Sequence, residues 1–256
     1  MIAYFQEKSQ NVAIIPARGG SKRIPRKNIK LFCGKPIIAY SIQRAKETKL
    51  FDRIIVSTDD AEISDIAVKW GAEVPFTRPH TLADDHTTTI DVIKHALRWL
   101  KENDERIYNS ACCIYPTAPF IRMRDLKKAY ESLTFKGIEF AFPVVTFPSS
   151  IFRALKITPE NKLSMFWPEY LNTRTQDLPE AYHDAGQFYW GKISSFLKHD
   201  AIIKEYSNPV IIPRYLAQDI DTLEDWKQAE LFFQWLSSSL SDSPRGNDCT
   251  FPPGFF

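Results

Sequence analysis

Short, almost uninterrupted apolar runs alternate along the chain with longer stretches in which apolar positions recur every three or four residues. The first pattern suits strands buried on both faces, and the second suits helices with one buried stripe. Residues 11–17 (NVAIIPA) read as the first strand. Pro36 opens a helix over 37–49, residues 53–58 read as a second strand, and a second helix over 60–70 closes at Gly71. Helices over 87–103 and 122–133 and strands over 111–115 and 139–145 continue the alternation. This order predicts an α/β fold, a Rossmann-like and mostly parallel sheet flanked by helices.

Between residues 147 and 182 the rhythm breaks into extended segments bearing Phe152, Phe166, Trp167 and Tyr170. So much apolar surface needs cover, which predicts a protruding β-arm packed on its own core or on a second subunit. The pattern resumes with a strand at 188–191, a helix near 193–198, a strand-like run at 209–214 and a last helix from Thr222 to about Leu236. Residues 1–236 therefore read as one domain with 147–182 inserted as the arm. Residues 237–256, rich in Ser, Pro and Gly and without period, read as a disordered tail.

A chain of 256 residues can bury a sizeable core, and its net charge of +2 gives no general attraction to nucleic acid or to a membrane surface. No apolar run is long enough to span a bilayer, and Glu7 and Lys8 stand where a signal peptide would be apolar. A cytoplasmic location is expected. The four cysteines, at positions 33, 112, 113 and 249, have no Cys-x-x-Cys spacing and read as reduced thiols rather than a metal or redox site.

Local charge is more informative. Directly after the first strand comes ARGGSKRIPRKN, with six basic residues and no acid from Arg18 to Lys30. Gly19 and Gly20 leave room for backbone N–H groups to approach an anion, and Arg18, Lys22 and Lys27 supply the charge a triphosphate requires. Neither the Walker A pattern nor Gly-x-Gly-x-x-Gly is present, which argues against a P-loop kinase and a dinucleotide enzyme. A basic surface segment is the plain alternative, but the place of the loop, at the end of a strand in an α/β pattern, favours phosphate.

IPARGGSKRIPRKN resembles the opening motif of the CMP-sugar synthetases, cytidylyltransferases that activate sialic acid and related 3-deoxy-2-keto acids. The resemblance extends from about Val12 to Leu236. It implies that residues Arg18, Gly19, Gly20, Ser21, Lys22 and Lys27 cradle the CTP phosphates and that Asn28 helps to hold the nucleotide. RPHTLADDHTTT is similar to the family segment that closes over cytosine, implying base contacts from Arg78, Thr87 and Thr89. Thr87 to Thr89 also suit the N-cap of the following helix.

Gln218-Asp219-Ile220-Asp221 places two carboxylates two residues apart, so that on extended backbone both project from one face and can grip a hard cation such as Mg²⁺. Alternatively Asp221 caps the last helix, with Glu224 at N3. The resemblance implies Asp219 and Asp221 as Mg²⁺ ligands, and with Arg18 and Lys27 they form the candidate catalytic set. No Ser-His-Asp or Cys-His nucleophile can be assembled. In such a family the nucleophile is the anomeric hydroxyl of the sugar.

For the acceptor, Tyr115 stands where sialic acid synthetases typically have Gln in a Gln-Pro-Thr-Ser-Pro motif, with Thr117 two residues on. RTQDLPEAYHDAGQFYWG, from Arg174 to Gly191, is similar to a stretch of the pseudaminic acid cytidylyltransferases. It implies His183, Asp184 and Gln187 as sugar contacts, although a turn also accounts for the first two. Arg153, Lys156 and Arg174 on the arm are candidates to clamp the sugar carboxylate. The implied partners are CTP, a nonulosonic acid (pseudaminic, legionaminic or N-acetylneuraminic) and a second subunit. A nucleotide-sensing or nucleic-acid-binding module without turnover is the competing class, against which the paired carboxylates argue.

Overall fold

The computed structural model describes residues 10–241. Its main sheet is built on β1 (Asn11–Pro16), β4 (Arg53–Ser57) and β5 (Ser110–Ile114), which are mutually parallel, with β1 in the middle. Each consists of residues that are buried almost throughout, as expected of parallel strands covered on both faces. β6 (Phe140–Thr146) and β11 (Ser207–Ile211) extend the sheet in the parallel sense, and β10 (Phe188–Lys192) lies antiparallel between β5 and β6. The order is β11-β6-β10-β5-β1-β4, with β9 (Tyr182–Asp184) pairing β6 antiparallel as well. β9 and β10 thus run along the same partner, interrupted at Gly186, whose φ of +62° lets the chain step aside.

Strand alternation divides the core. Ala13, Ile15, Ile54 and Val56 face α1 (Ile37–Thr48), α2 (Ala61–Lys69), α4 (Met123–Ser132) and α6 (Leu223–Ser241). Val12, Ile14 and Ile55 face α3 (Thr89–Asn103) and α5 (Ile193–Lys198). Cys112 joins the first layer and Cys113 the second, both fully buried and free, and burial raises both thiols. Asp60 caps α2 by accepting from Ile63 N at 3.0 Å, and Gly71 beyond its end has φ +90°. A hairpin of β2 (Leu31–Phe32) and β3 (Lys35–Pro36) leads into α1, so Pro36 belongs to a strand and is the residue before the helix.

The stretch 147–182 carries a small hairpin, β7 (Leu155–Ile157) with β8 (Leu163–Met165), and three single-turn helices. β7 and β8 pair only with each other, and Leu155, Ile157, Leu163, Phe166 and Leu171 are exposed. The last helix continues to Ser241, past the predicted stop near Leu236, so residues 237–241 are helical and not a tail. The remainder of the predicted tail lies outside the described residues. Among the described residues no helix is long and apolar enough to cross a membrane.

Because β1, β4, β5, β6 and β11 are parallel, their C-terminal ends share one edge of the sheet, and the reversed β10 begins there. Loops 17–30, 58–60, 115–117, 185–187 and 212–221 converge on that edge, where open α/β sheets bind ligands.

Candidate active site

The chain leaving β1 and β5 and the segment before α3 wall a cleft of about 310 Å³. Of the predicted nucleotide residues, Arg18, Ser21, Lys22, Lys27, Asn28, Arg78, Thr87 and Thr89 line it, together with Tyr115 and Thr117 from the predicted sugar set. Gly19, Gly20, Arg174, His183, Asp184, Gln187, Asp219 and Asp221 are outside that lining.

The basic loop divides its labour. Arg26 turns away, bonding Asp60 at 2.5 and 2.8 Å and Glu62 at 2.5 Å, which ties the loop to α2. Asn28 is buried and donates to Arg18 O at 2.9 Å, so its amide braces the loop backbone. Gly19 donates through its N–H to Asp59 Oδ1 at 3.0 Å. It is small because Asp60 is close, with an added Cβ falling 2.8 Å from Asp60 Oδ2. Arg18, Lys22, Arg23 and Lys27 remain in the cleft as its cations.

Arg78 lies across the cleft, buried, donating to Ser57 Oγ at 3.1 Å and also to Ser57 O. Burial, only partly offset by Asp59, lowers its pKa to about 10, so it stays charged at neutral pH. Among the three threonines, Thr88 is the cap of α3, accepting from Asp91 N at 3.3 Å. Thr87 Oγ1 donates to Asp84 Oδ1 at 2.7 Å, and Thr89 Oγ1 is 3.0 Å from the Tyr115 hydroxyl. Capping has thus taken one threonine and left its neighbours to the cleft.

The carboxylates behave differently from one another. Asp221 is paired with Arg23 at 2.8 Å and with Lys27 at 3.3 Å, and Lys27 also donates to Ile220 O at 2.8 Å. It does not cap α6. That task belongs to Thr222, whose hydroxyl accepts from Asp225 N at 3.2 Å while Asp225 accepts from Thr222 N at 2.7 Å, a reciprocal box in place of the expected Asp221 and Glu224. Asp219 has no hydrogen-bond or ion-pair partner among the described residues, and partial burial followed by the charge of Asp221 raises its carboxyl pKa. No cluster of three or more His, Cys, Asp or Glu suited to a metal occurs among the described residues.

On the acceptor side, Tyr115 is held by Ser41 Oγ, which donates to its carbonyl at 2.7 Å, and by its N–H, which donates to Gln187 O at 2.8 Å. Gln187 is buried and donates from Nε2 to Leu216 O at 2.6 Å, a bracket between loops. His183 is exposed beside Phe147, and Asp184 accepts from Gly186 N at 2.8 Å and from the Tyr189 hydroxyl at 2.5 Å. Both belong to the strand-and-turn alternative in their local contacts. The arm's bases are likewise occupied: Arg153 donates to Leu171 O and Thr173 O, Arg174 pairs with Asp177 at 2.7 Å, and Lys156 lies 5.6 Å from the Phe166 ring.

A family model described as cytidylyltransferase matches residues 12–237, nearly the whole of this architecture. The chain belongs to the cytidylyltransferase family. It is 43% identical over 225 residues to the pseudaminic acid cytidylyltransferase of Campylobacter jejuni, covering 88% of this chain and 97% of that one. It is 31% identical to the CMP-N,N'-diacetyllegionaminic acid synthase of Legionella pneumophila, covering 90% and 98%. A solved CMP:2-keto-3-deoxy-manno-octonic acid synthetase complexed with CTP shares the fold, with a TM-score of 0.64 at 16% identity over 89% of this chain and 99% of that one.

In this cytidylyltransferase two cleft residues and one that packs behind the cleft carried too little local signal to be singled out. Arg23 was one base among six, Asp85 one of two adjacent acids in a polar loop, and Tyr189 an aromatic in an apolar strand. Arg23 and Asp85 line the cleft, and Tyr189 packs behind Tyr115 with ring centroids 5.4 Å apart.

Proposed function

We propose that the protein transfers CMP from CTP to the anomeric hydroxyl of pseudaminic acid and releases pyrophosphate. The observation that carries this reading is the near full-length similarity to pseudaminic acid cytidylyltransferases. The cleft supports it: cations for a triphosphate, a buried arginine, threonine hydroxyls and the Tyr115 ring all line it. The hydroxyl oxygen attacks the α-phosphorus, its proton passing to solvent, as the bond to the bridging oxygen of the β-phosphate breaks and pyrophosphate departs. Arg18, Lys22 and Lys27 stabilise the charge on the departing pyrophosphate, and their fixed placement aligns the phosphate chain for in-line attack.

Asp219 and Asp221 would hold Mg²⁺. The fit is good on one point: among the described residues Asp219 has no hydrogen-bond or ion-pair partner, and partial burial, followed by the like charge of Asp221, raises its pKa, a strain that a cation relieves. Two carboxylates would suffice for a cation that commonly keeps several of its waters, and when bound it would supply neutralisation of phosphate charge. Arg78, Thr87 and Thr89 would read the donor and acceptor edge of cytosine. The apolar face formed by Leu155, Ile157 and Leu163 suits a homodimer in which the hairpin is covered by a second copy, in the cytoplasm.

The test is kcat/KM for pseudaminic acid and N-acetylneuraminic acid side by side, following pyrophosphate release at saturating CTP and Mg²⁺. Against the Tyr115 ring, a polyhydroxylated sugar leaves hydroxyls unpaired at about 1–3 kcal/mol each, so pseudaminic acid should be preferred by roughly ten- to thousandfold. Equal or reversed values would overturn the acceptor assignment alone. No pyrophosphate release with any nonulosonic acid would overturn the enzyme reading.

A further inference from the structure

Two of the cleft cations share a carboxylate to which the scheme above gives no role. Asp85 Oδ1 lies 2.7 Å from Arg18 Nη2, and Asp85 Oδ2 pairs with Lys22 Nζ. Arg18 Nη1 also donates to Asp84 O at 2.7 Å. The Asp84 side chain accepts from His86 N at 3.0 Å and from Thr87 N and Oγ1 at 2.7 Å each, closing a tight turn that fixes the backbone from which Asp85 projects. Lys22 and then Arg18 lower the Asp85 pKa, so the carboxylate is charged wherever the enzyme works. Lys22 is otherwise 79% exposed and has no other partner among the described residues.

A lysine and an arginine placed side by side repel one another, and each has many rotamers. One carboxylate taking one cation on each oxygen removes both difficulties. A guanidinium and an ammonium carry more N–H donors than these contacts use, so the pair remains able to bind phosphate oxygens. The same carboxylate joins the loop after β1 to the loop before α3, which lie 66 residues apart at the Arg18 and Asp84 contact. We infer that Asp85 is a positioning residue, which holds Arg18 and Lys22 as an ordered pair before the nucleotide arrives and links the phosphate wall to the base wall.

This role rests on the cleft being the CTP site, and the experiment separates the two. Binding of CTP and of inorganic tripolyphosphate is measured by calorimetry on the full chain, for wild type, Asp85→Asn, Asp85→Glu, Arg18→Ala and the double variant Arg18→Ala with Asp85→Asn. Asp85→Asn should weaken both ligands by about ten- to thirtyfold, because two long side chains must then be ordered on binding. Its melting temperature should match wild type, since an exposed ion pair adds little stability. Asp85→Glu should recover most of the affinity. In the Arg18→Ala background the Asp85 change should cost clearly less than it does alone, as expected of a residue acting through Arg18. Unchanged affinity, tighter binding (which would make Asp85 a competitor of phosphate), full additivity with Arg18→Ala, or a parallel loss of melting temperature would each overturn the inference. Wild type failing to bind CTP would instead overturn the functional reading beneath it.

Discussion

Gly19 and Gly20 are adjacent, both partly or fully exposed, and indistinguishable as letters in a glycine-rich loop, yet alanine at the two positions should have opposite consequences. At Gly19 an added Cβ stands 2.8 Å from Asp60 Oδ2 and 3.1 Å from Asp60 Cβ, where ordinary contact begins at 3.4 Å. One side must therefore move by about half an ångström. Asp60 resists, because its oxygens hold Arg26 at 2.5 and 2.8 Å and cap α2 through Ile63 N at 3.0 Å. Gly19 resists as well, its N–H being bonded to Asp59 Oδ1 at 3.0 Å. Overpacking of a site with no slack costs about 1–3 kcal/mol, and weakening the cap falls within that range. For a chain of this size the melting temperature should drop by about 3–10 °C. Displacing the loop should also lower kcat/KM for CTP by about ten- to hundredfold, since Arg18 moves with it. At Gly20 nothing lies within 4 Å and the backbone is not left-handed, so alanine should change stability by less than about 0.5 kcal/mol. Urea unfolding at constant m-value and CTP kinetics on both variants decide the matter. Equal behaviour of the two alanines, or a wild-type Gly19→Ala, would refute the packing argument.

Asp219→Asn should leave the melting temperature unchanged and raise the Mg²⁺ concentration for half-maximal rate by about tenfold or more, read from a Mg²⁺ titration of pyrophosphate release. Thr222→Ala should cost about 1 kcal/mol in urea unfolding, while Asp221→Asn spares the cap of α6 and should instead show its effect in kinetics. Arg26 holds the Asp60 carboxyl down at about 2 against an ordinary 3.8. The stabilisation from that pair is complete above the ordinary value and is lost as pH falls through about 2, so Asp60→Asn should flatten this part of a plot of urea midpoint against pH.

How far the sequence can be read depends on the range over which each signal acts. The alternation of strands and helices was legible because burial on two faces and helical periodicity are local patterns, and β1, β4, β5 and β6 lie where those patterns put them. The reach of α6 to Ser241 was missed because serines weaken a helix signal without forbidding the helix. Glycine, base and carboxylate types in the right loops marked where the cleft would form. Their individual occupations were not marked, as Gln187, Asn28 and Gly19 show: each is committed to the protein's own backbone or to a neighbouring side chain.

By itself the sequence determined the α/β alternation, the strand ends at which a phosphate site could form and the acids available for a cation. Only the tertiary structure decided which charge meets which. Lys27 reaches Ile220 across 193 residues, Arg18 reaches the Asp84 carbonyl across 66, and Arg26 leaves the cleft for Asp60 across 34. These pairings have no local signature, because a cation satisfies any carboxylate or carbonyl the fold brings within reach. What brings them is the parallel sheet, which gathers the ends of distant strands on one edge.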